Sequence, residues 1–384
     1  MEDHLCGDAR SEPGVNLGNN DMKNTKLYLV ITCLLFVCAG QAQTKIENLI
    51  IVTTDGLRWQ EVFKGMDTVI ADNKRFNEGD SSYIYKTYGA GNFDARRAKL
   101  LPFFWGDIAS KGQIYGNRTL DNKVNNANPH WFSYPGYSEL FTGFADPSIN
   151  SNSFPPNPHI TVLEFINKQP GFKDKVAAFG AWGAFDRILN EKRAGFPVVS
   201  AFDATGGKAP SEKEVLINKM LADSYKPWGQ GECLDVFTHY AAMEHLVAKR
   251  PRVLYVAYGE TDEWAHSGKY RSYLDAARQV DKWLGDIWDF VQSDPSYKDK
   301  TALLITVDHG RGDKNKNLWV EHGSSIPGAS ETWFAIMGPG IPARGEVREG
   351  MQIYQEQLAQ TMAQLLGLTF KAEHPIAQGV KIGK

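Results

Sequence analysis

Three short apolar segments lead to an acidic residue, and this pattern limits the fold more than any other feature of the sequence. The segments and their acidic residues are 46–54 with Asp55, 252–258 with Asp262, and 301–307 with Asp308. Short, continuous apolar runs are typical of strands buried on both faces, as in parallel sheets. The carboxyl ends of parallel strands share one edge, and ligands bind in the crevice there. The pattern therefore predicts an α/β fold with a mostly parallel central sheet flanked by helices and three carboxylates at one edge.

Three other segments complete the predicted architecture. Residues 331–337 are apolar and predict one further strand, and residues 355–366 predict a closing helix. Residues 183–230 contain Gly and Lys without a clear period, which predicts an irregular insertion over the ligand-binding edge.

Histidines accompany the three carboxylates. His309 follows Asp308 directly, His322 comes thirteen residues later, and each His precedes a Gly that lets the backbone approach closely. His266 lies four residues after Asp262, so on a helical turn both side chains face one point. Imidazoles and carboxylates together suit borderline divalent cations, most naturally Zn²⁺, with Mn²⁺ as the alternative. Without cations, carboxylates in one crevice would repel each other and raise each other's pKa values. The sequence therefore predicts a site for two divalent metal ions.

A serine lies on a Pro- and Gly-rich turn ahead of a helical segment. Ser133 stands in the sequence NPHWFSYPGY at 128–137. At a helix N-terminus, backbone N–H groups and the helix dipole favour an anion, which suits an alkoxide or a bound oxyanion. A turn or N-cap serine is the ordinary alternative.

The first 42 residues differ from the rest of the chain. A basic segment beginning at Met22 precedes the uncharged apolar run 27–39, and Gly40-Gln41-Ala42 supplies the small residues that a signal peptidase reads. We interpret this as a secretory signal peptide cleaved near Ala42, with residues 1–21 derived from an upstream start assignment. An N-terminal anchor is the alternative, although the run is short for a membrane span.

Export sets the expected compartment and organisation. The protein is expected to be periplasmic or secreted, with residues 43–384 forming a single catalytic domain and no membrane span in the mature chain. Of the four cysteines, only Cys233 follows the predicted cleavage site, so no intrachain disulfide is expected. The net charge of −3 shows no basic surplus, which argues against nucleic acid as a partner and favours a small-molecule substrate. The pattern gives no oligomeric state.

Taken together, the motifs resemble the alkaline phosphatase superfamily, in particular its type I phosphodiesterase/nucleotide pyrophosphatase-like and related exported phosphatase branch. They are TTDG at 53–56, FSYPGY at 132–137, D-x-x-x-H at 262–266, DHG at 308–310 and HG at 322–323. The motifs occur in the order of the family and extend over most of the sequence after the signal peptide.

This resemblance implies an alkaline phosphatase-like fold and hydrolysis of phosphoric monoesters or diesters through a phosphoseryl intermediate. The nucleophile would be Ser133, where the diesterase branch usually has Thr. The implied ligands are Asp262, His266 and His322 for one metal, and Asp55, Asp308, His309 and Ser133 for the other.

The family also uses a side chain that binds a non-bridging phosphate oxygen. Asn152 is nearest to the family's position for this side chain, and Asn150 is close to it. Arg311, directly after DHG, and Arg58, soon after TTDG, are further candidates. A solvated surface position is the ordinary alternative for each.

Other functions remain open at the level of sequence. A sulfatase would need Arg where Tyr137 stands, so conversion to formylglycine is not expected. A cofactor-independent phosphomutase fits poorly with export, and a non-catalytic metal- or anion-binding relative is a further alternative. The sequence does not identify the leaving group of the substrate. The aromatic residues near the site either flank a base or aryl group or pack in the core. These residues are Trp131, Tyr134, Tyr137 and Trp182.

Overall fold

The computed structural model describes residues 11–12, 14 and 46–382. The described residues from 46 onward belong to one compact unit, Thr44–Lys384. The predicted signal peptide lies outside the described residues. Within the described part, no helix has both the length and the apolar character needed to cross a membrane.

Eleven strands in the described residues form two sheets. In chain order they are β1 (Asn48–Thr54), β2 (Gly112–Tyr115), β3 (Asn122–Asn125), β4 (Val176–Gly180), β5 (Val198–Ser200), β6 (Val253–Tyr258), β7 (Thr301–Thr306), β8 (Glu331–Thr332), β9 (Phe334–Met337), β10 (Gly345–Glu346) and β11 (Met351–Tyr354). The large sheet has the order β10-β2-β9-β7-β1-β6-β4-β5, and the small sheet has the order β11-β3-β8. In the large sheet, β9 runs antiparallel to β2 and β7, and every other pair is parallel.

Fourteen α-helices surround the sheets in the described residues. They are α1 (Trp59–Lys64), α2 (Thr68–Asp72), α3 (Ser81–Tyr88), α4 (Phe93–Leu100), α5 (Ala109–Lys111), α6 (Ser133–Thr142), α7 (Val162–Asn167), α8 (Phe185–Ile188), α9 (Glu191–Ala194), α10 (Glu212–Asp223), α11 (Asp235–Lys249), α12 (Glu260–His266), α13 (Tyr270–Ser293) and α14 (Gln357–Leu365). A π-helix (Phe104–Ile108) and two 3-10 helices (Arg118–Leu120, Lys316–Val320) connect them.

Alternate side chains of β1 enter two separate apolar cores, because successive residues of a strand point to opposite faces. Ile50 and Val52 pack against residues of α1–α4, α11 and α13. Leu49 and Ile51 pack against residues of α6–α8 and α14. Helices therefore cover both faces of a mostly parallel sheet, and the predicted fold class is confirmed.

The centre of the large sheet determines where the acidic residues lie. Strand β1 pairs in parallel with β6 on one side and β7 on the other, with Thr53 beside Ala257 and Thr306. All residues of these three strands are buried. Their carboxyl ends therefore meet at the middle of one sheet edge, as the apolar runs predict.

Two local predictions were wrong. Residues 183–230 are not one irregular insertion, because they contain the edge strand β5 and the helix α10, which begins with a capping box between Ser211 and Glu214. Helix α10 buries Leu221 but leaves Leu216 and Met220 exposed, so its apolar residues are not confined to the buried face. Residues 331–337 do not form one strand: β8 belongs to the small sheet and β9 to the large one. Between them, the buried Trp333 directs its Nε1–H to the carbonyl oxygen of Leu57 at 2.8 Å.

Candidate active site

The carboxyl ends of β1, β6 and β7 supply the three predicted carboxylates. Asp55 directly follows β1, and its N–H continues the ladder to the carbonyl oxygen of Tyr258 at 2.8 Å. Asp262 lies in the first turn of α12, just after β6. Asp308 and His309 follow β7, and both are fully buried. These residues come from distant parts of the chain, and the parallel pairing of their strands brings them together.

His309 lies at the centre of this group. Its Nε2 is 3.3 Å from Asp55 Oδ1, 3.4 Å from Asp308 Oδ2 and 3.8 Å from Asp262 Oδ1. The other ring nitrogen, Nδ1, is 2.9 Å from the carbonyl oxygen of Gly310. That contact fixes the ring so that Nε2 faces the carboxylates, which is the orientation a metal-binding imidazole requires.

The electrostatics of the group favour a bound positive charge. Burial, followed by the charge of Asp262, raises the pKa of Asp55. Burial, followed by the charge of Asp55, raises the pKa of Asp308 well above its ordinary value. Burial alone would lower the pKa of His309, but Asp308 and Asp55 raise it to about 9. The carboxylates thus repel one another and hold a proton on His309, at a place where a cation would relieve the same repulsion.

Several side-chain atoms of the candidate ligands lack a hydrogen-bond partner. Asp55 Oδ1, Asp308 Oδ2 and His322 Nδ1 are buried and make no hydrogen bond within the described residues. Buried polar atoms are nearly always hydrogen-bonded, so each exception needs an explanation such as an ion. Two sets of ligand atoms each lie within 4.8 Å of one another: Asp55, Asp308 and His309, and Asp262, His309 and His322. The residues present therefore fit a divalent cation.

The second set contains His309, where the prediction has His266. His266 Nε2 lies 3.0 Å from Asp262 Oδ2 and 2.9 Å from His322 Nε2, so the three predicted residues are adjacent. His322 Nε2 is 3.9 Å from Asp262 Oδ1. The structure adds His309, whose ring lies 4.1 Å from that of His322 and which belongs to both sets.

Ser133 begins helix α6 beside these ligands. Its Oγ is buried and lies 3.3 Å from His309 Nε2. One turn later, Tyr137 Oη donates to Asp55 Oδ2 at 3.1 Å. Gly136 permits this close packing, since a Cβ there would lie 2.4 Å from the carbonyl oxygen of Asp308. The helix is thus fixed against the ends of both β1 and β7.

The start of α6 offers fewer free N–H groups than a helix N-terminus usually does. Tyr134 N–H already donates to Asn152 Oδ1 at 2.9 Å, and Pro135 has no N–H. The expectation that backbone N–H groups of this helix surround an anion is therefore only partly met. Asn152 brings its amide to this position instead, which places the predicted residue next to Ser133. Asn150, the neighbouring candidate, is exposed, as Asn152 also is.

The two arginine candidates are directed elsewhere. Arg311 is fully buried and pairs with Asp262 Oδ1, while its Nε and Nη2 donate to the carbonyl oxygens of Trp319 (3.0 Å for Nε) and Val320. Arg58 is also fully buried and pairs with Glu61. Each guanidinium thus donates to protein acceptors, and this geometry does not support the expected contact with a phosphate oxygen.

Sequence reasoning missed an acidic pair beside the site, the buried Glu232 and the half-buried Glu263. Burial, followed by the charge of Glu263, raises the pKa of Glu232 well above its ordinary value. Glu232 Oε1 is buried without a hydrogen-bond partner in the described residues. No sequence motif marks Glu232, because it follows a segment without period. Only the position of Glu263, next to Asp262, could have drawn attention to the pair.

The aromatic residues near Ser133 divide into two kinds. Tyr134 and Tyr137 are buried core residues, and Trp182 packs against the same core. Trp131 is half-buried and has a positive φ of 53°. Its carbonyl oxygen accepts the N–H of Gly323, the residue after His322, at 3.0 Å. Packing therefore accounts for three of the four aromatic candidates.

Comparison with known sequences matches part of this chain. Residues 234–365, which include the ligands from Asp262 to His322, match the family model of the Metalloenzyme superfamily. A stretch of 102 residues, 27% of the chain, is 29% identical to a 2,3-bisphosphoglycerate-independent phosphoglycerate mutase from Thermomicrobium roseum. The match spans 17% of the length of that relative.

Solved structures share the architecture over most of the chain. The lipoteichoic acid synthase LtaP from Listeria monocytogenes has a TM-score of 0.54 at 13% identity, covering 88% of this chain and 76% of that one. A 2-O GAG sulfatase has a TM-score of 0.54 at 15% identity, covering 87% and 73%. A phosphonate monoester hydrolase from Silicibacter pomeroyi has a TM-score of 0.51 at 14% identity, covering 87% and 76%. At these identities the likeness establishes the fold, which agrees with the superfamily-level resemblance of the motifs; the more specific branch stays a prediction.

Proposed function

We propose that this chain, with its alkaline phosphatase-like fold and metalloenzyme segment, is an exported hydrolase of phosphoric esters that acts through Ser133. The observation that carries the proposal is the position of Ser133 Oγ, 3.3 Å from His309 Nε2. His309 belongs to both sets of candidate ligands. A buried alcohol within 3.3 Å of an imidazole that belongs to both candidate ligand sets is suited to activation as a nucleophile.

Two divalent ions, Zn²⁺ or alternatively Mn²⁺, would be held here. Asp55, Asp308 and His309 would hold one, with Ser133 beside it. Asp262, His266 and His322 would hold the other. Bound metal ions lower the pKa of a hydroxyl group and stabilise negative charge on phosphoryl oxygens.

In this mechanism Ser133 loses its hydroxyl proton to solvent and its Oγ attacks phosphorus. The bond from phosphorus to the leaving oxygen breaks, and the leaving group takes up a proton from solvent to depart as an alcohol or phenol. Water then hydrolyses the phosphoseryl ester and regenerates the hydroxyl group. The bond from Tyr134 N–H to Asn152 Oδ1 holds the amide of Asn152 beside the nucleophile. The Nδ2–H groups of Asn152 are therefore assigned to a non-bridging phosphate oxygen.

Arg311 acts on the site through other residues. It joins Asp262 to the carbonyl oxygens of Trp319 and Val320, which lie in the segment that leads to His322. We therefore assign Arg311 to positioning of His322 rather than to contact with phosphate.

Hydrolysis of aryl esters by the purified protein tests the proposal. The substrates are p-nitrophenyl phosphate, bis-p-nitrophenyl phosphate and p-nitrophenyl sulfate, each with added Zn²⁺ or Mn²⁺. We expect Ser133→Ala to lower kcat/KM for the phosphate esters on the order of 10³-fold or more. The matched control is Ser138→Ala on the same helix, because Ser138 Oγ contacts Asn157 Nδ2 at 3.0 Å rather than the ligands.

Each outcome has a defined meaning. Preference for the monoester or for the diester selects phosphatase or phosphodiesterase activity. Preference for the sulfate would overturn the proposal in favour of a sulfatase. Absence of turnover of every ester, with metal bound, would favour a non-catalytic binding protein.

A further inference from the structure

A cavity of about 190 Å³ lies between α1, α4 and the segment joining His309 to His322. The polar residues around it are Gln60, Lys64, Asp67, Thr68, Arg96, Asp313 and Lys316. None of them is a candidate metal ligand or a neighbour of Ser133. The cavity is therefore separate from the candidate active site.

One wall of the cavity contains an unsatisfied amide. Gln60 is only 4% exposed, and both its Nε2 and its Oε1 lack a hydrogen-bond partner within the described residues. Leaving a buried donor or acceptor unpaired costs about 1–3 kcal/mol. A native structure usually explains such a group by a bound ion, ligand or water. Gln60 lines the cavity, so a turn of its side chain would direct this unpaired carboxamide at an occupant.

Two cations beside Gln60 have no counter-ion within the described residues. The ammonium group of Lys64 lies 4.4 Å from the ring centre of Trp59. The guanidinium of Arg96 lies 4.9 Å from the ring centre of Phe93, and its Nε is 3.4 Å from the carbonyl oxygen of Lys64. Aromatic rings hold both cations in place but do not neutralise them.

The third cation of the cavity is different. Lys316 Nζ pairs with Asp67 Oδ2 at 2.7 Å and also with Asp313. The carboxylates of the cavity are thus directed at Lys316. The positive charge left over lies on the side of Lys64 and Arg96, next to Gln60.

We propose that this cavity binds a small oxyanion between Lys64 and Arg96, with the amide of Gln60 as a hydrogen-bond partner. Phosphate and carboxylate groups share the required chemistry, and a guanidinium fork suits both. The volume exceeds that of one water molecule, about 30 Å³ in the liquid, and accommodates a tetrahedral oxyanion. The inference does not depend on the proposed function.

Crystals of the metal-loaded protein soaked in selenate, located by anomalous scattering of selenium, test the site directly. We expect selenium between Lys64 and Arg96, whether or not selenium also occupies the metal site. Titration with inorganic phosphate and with acetate then tells which oxyanion is preferred. Absence of selenium from the cavity, with no saturable binding outside the metal site, would overturn the proposal.

Variants separate the cavity from the candidate active site. Arg96→Gln should weaken oxyanion binding at the cavity roughly tenfold to a hundredfold, in line with the loss of a charged hydrogen bond. The control is Arg75→Gln, at an exposed arginine over the ring of Phe76, which should bind as the wild type does. Equal affinity of the two variants at the cavity would contradict the proposal.

Gln60→Leu tests the amide with a second readout. Leucine has a similar size but no polar atom, so this variant should lose oxyanion affinity and yet melt no lower than the wild type. A variant that melts lower and binds as before would show that Gln60 serves packing alone.

Discussion

Tyr137 Oη donates a hydrogen bond to Asp55 Oδ2 over 3.1 Å, and this bond joins the helix of Ser133 to the end of β1. The bond leaves Asp55 Oδ1 directed at His309 Nε2, 3.3 Å away. Tyr137 therefore orients a candidate ligand although it is itself a buried core residue.

Tyr137→Phe should weaken metal binding without unfolding the protein. The change keeps the ring and removes only the hydroxyl group that orients Asp55. Loss of such a supporting hydrogen bond typically costs 10- to 100-fold in metal affinity. Competition with a chelator measures the affinity. Tyr134→Phe is the control, because its hydroxyl group donates to the carbonyl oxygen of Pro155; equal losses in both variants would contradict the role.

Asn152→Ala should reduce ester hydrolysis with little effect on stability. The side chain is exposed, so its removal creates no cavity, but the donor beside Ser133 is lost. We expect kcat/KM to fall on the order of 10²-fold, as for the loss of one donor to a developing oxyanion. Steady-state kinetics with p-nitrophenyl phosphate and denaturant unfolding measure the two effects. Asn150→Ala should leave both kcat/KM and the free energy of unfolding unchanged. An equal decrease in kcat/KM in this variant would contradict the role assigned to Asn152.

Arg311→Leu should destabilise the protein strongly. The guanidinium is fully buried against Asp262, and breaking such a pair leaves a buried charge at a cost of about 3–5 kcal/mol. Lys282→Ala is the comparison, because that lysine pairs with Asp286 at the surface and such pairs contribute about 0–1 kcal/mol. Urea unfolding of both variants measures the difference. An Arg311 variant as stable as the Lys282 variant would argue against the pair.

Removal of metal should lower the free energy of unfolding. Chelation restores the repulsion among Asp55, Asp308 and Asp262, and an ion present at 100 times its Kd contributes about 2.7 kcal/mol. Thermal unfolding with chelator, and after return of Zn²⁺ or Mn²⁺, measures the change. Asp308→Asn should lose most of this response. A melting temperature that changes with neither chelator nor added metal would contradict the candidate metal site.

His239 should make the protein less stable in mild acid. Its ring stacks on Trp283 with centroids 4.7 Å apart, and its Nδ1 lies 2.9 Å from Tyr258 Oη. Burial lowers the pKa of His239 to about 4, while Asp286 raises it slightly and Lys282 lowers it. The imidazole thus stays neutral in the folded state below the pH at which it charges in the unfolded chain. The contribution of neutral His239 to the free energy of unfolding is fully present above about pH 6.5. It is lost as pH falls towards 4, by up to about 3 kcal/mol.

Unfolding free energies measured from pH 7 to pH 4 check this expectation. His239→Gln should have a flatter dependence on pH than the wild type, whatever its stability at pH 7. Parallel curves for the two proteins would show that another group governs the acid range.

The three carboxylates at the sheet edge were predictable because neighbouring parallel strands end together, and their apolar runs are plain in the sequence. The missing N–H group at the start of α6 was also predictable, because residue 135 is a proline. The bond from Tyr134 N–H to Asn152 was not readable, because a loop conformation decides it. The pairing of Arg311 with Asp262 was not predictable either. An arginine directly after DHG looks the same in the sequence whether its guanidinium contacts phosphate or a protein carboxylate. The division of 331–337 between two sheets depends on the hydrogen bond from Trp333 to Leu57, and this tertiary contact is not visible in the sequence.

The order of strands around β1 has a consequence for how this protein matures. β1 is the first strand in the described chain, but its neighbours β6 and β7 come some 200 and 250 residues later, as the 252-residue separation of Gly56 from Asp308 illustrates. Pairings of such long range form late, because a large loop must close first. Asp55 therefore has no partner ligands while the ribosome makes most of the chain. A polypeptide that ends before His322 lacks part of the candidate ligand sets, so metal binding at this edge would require the chain to be made and folded at least that far.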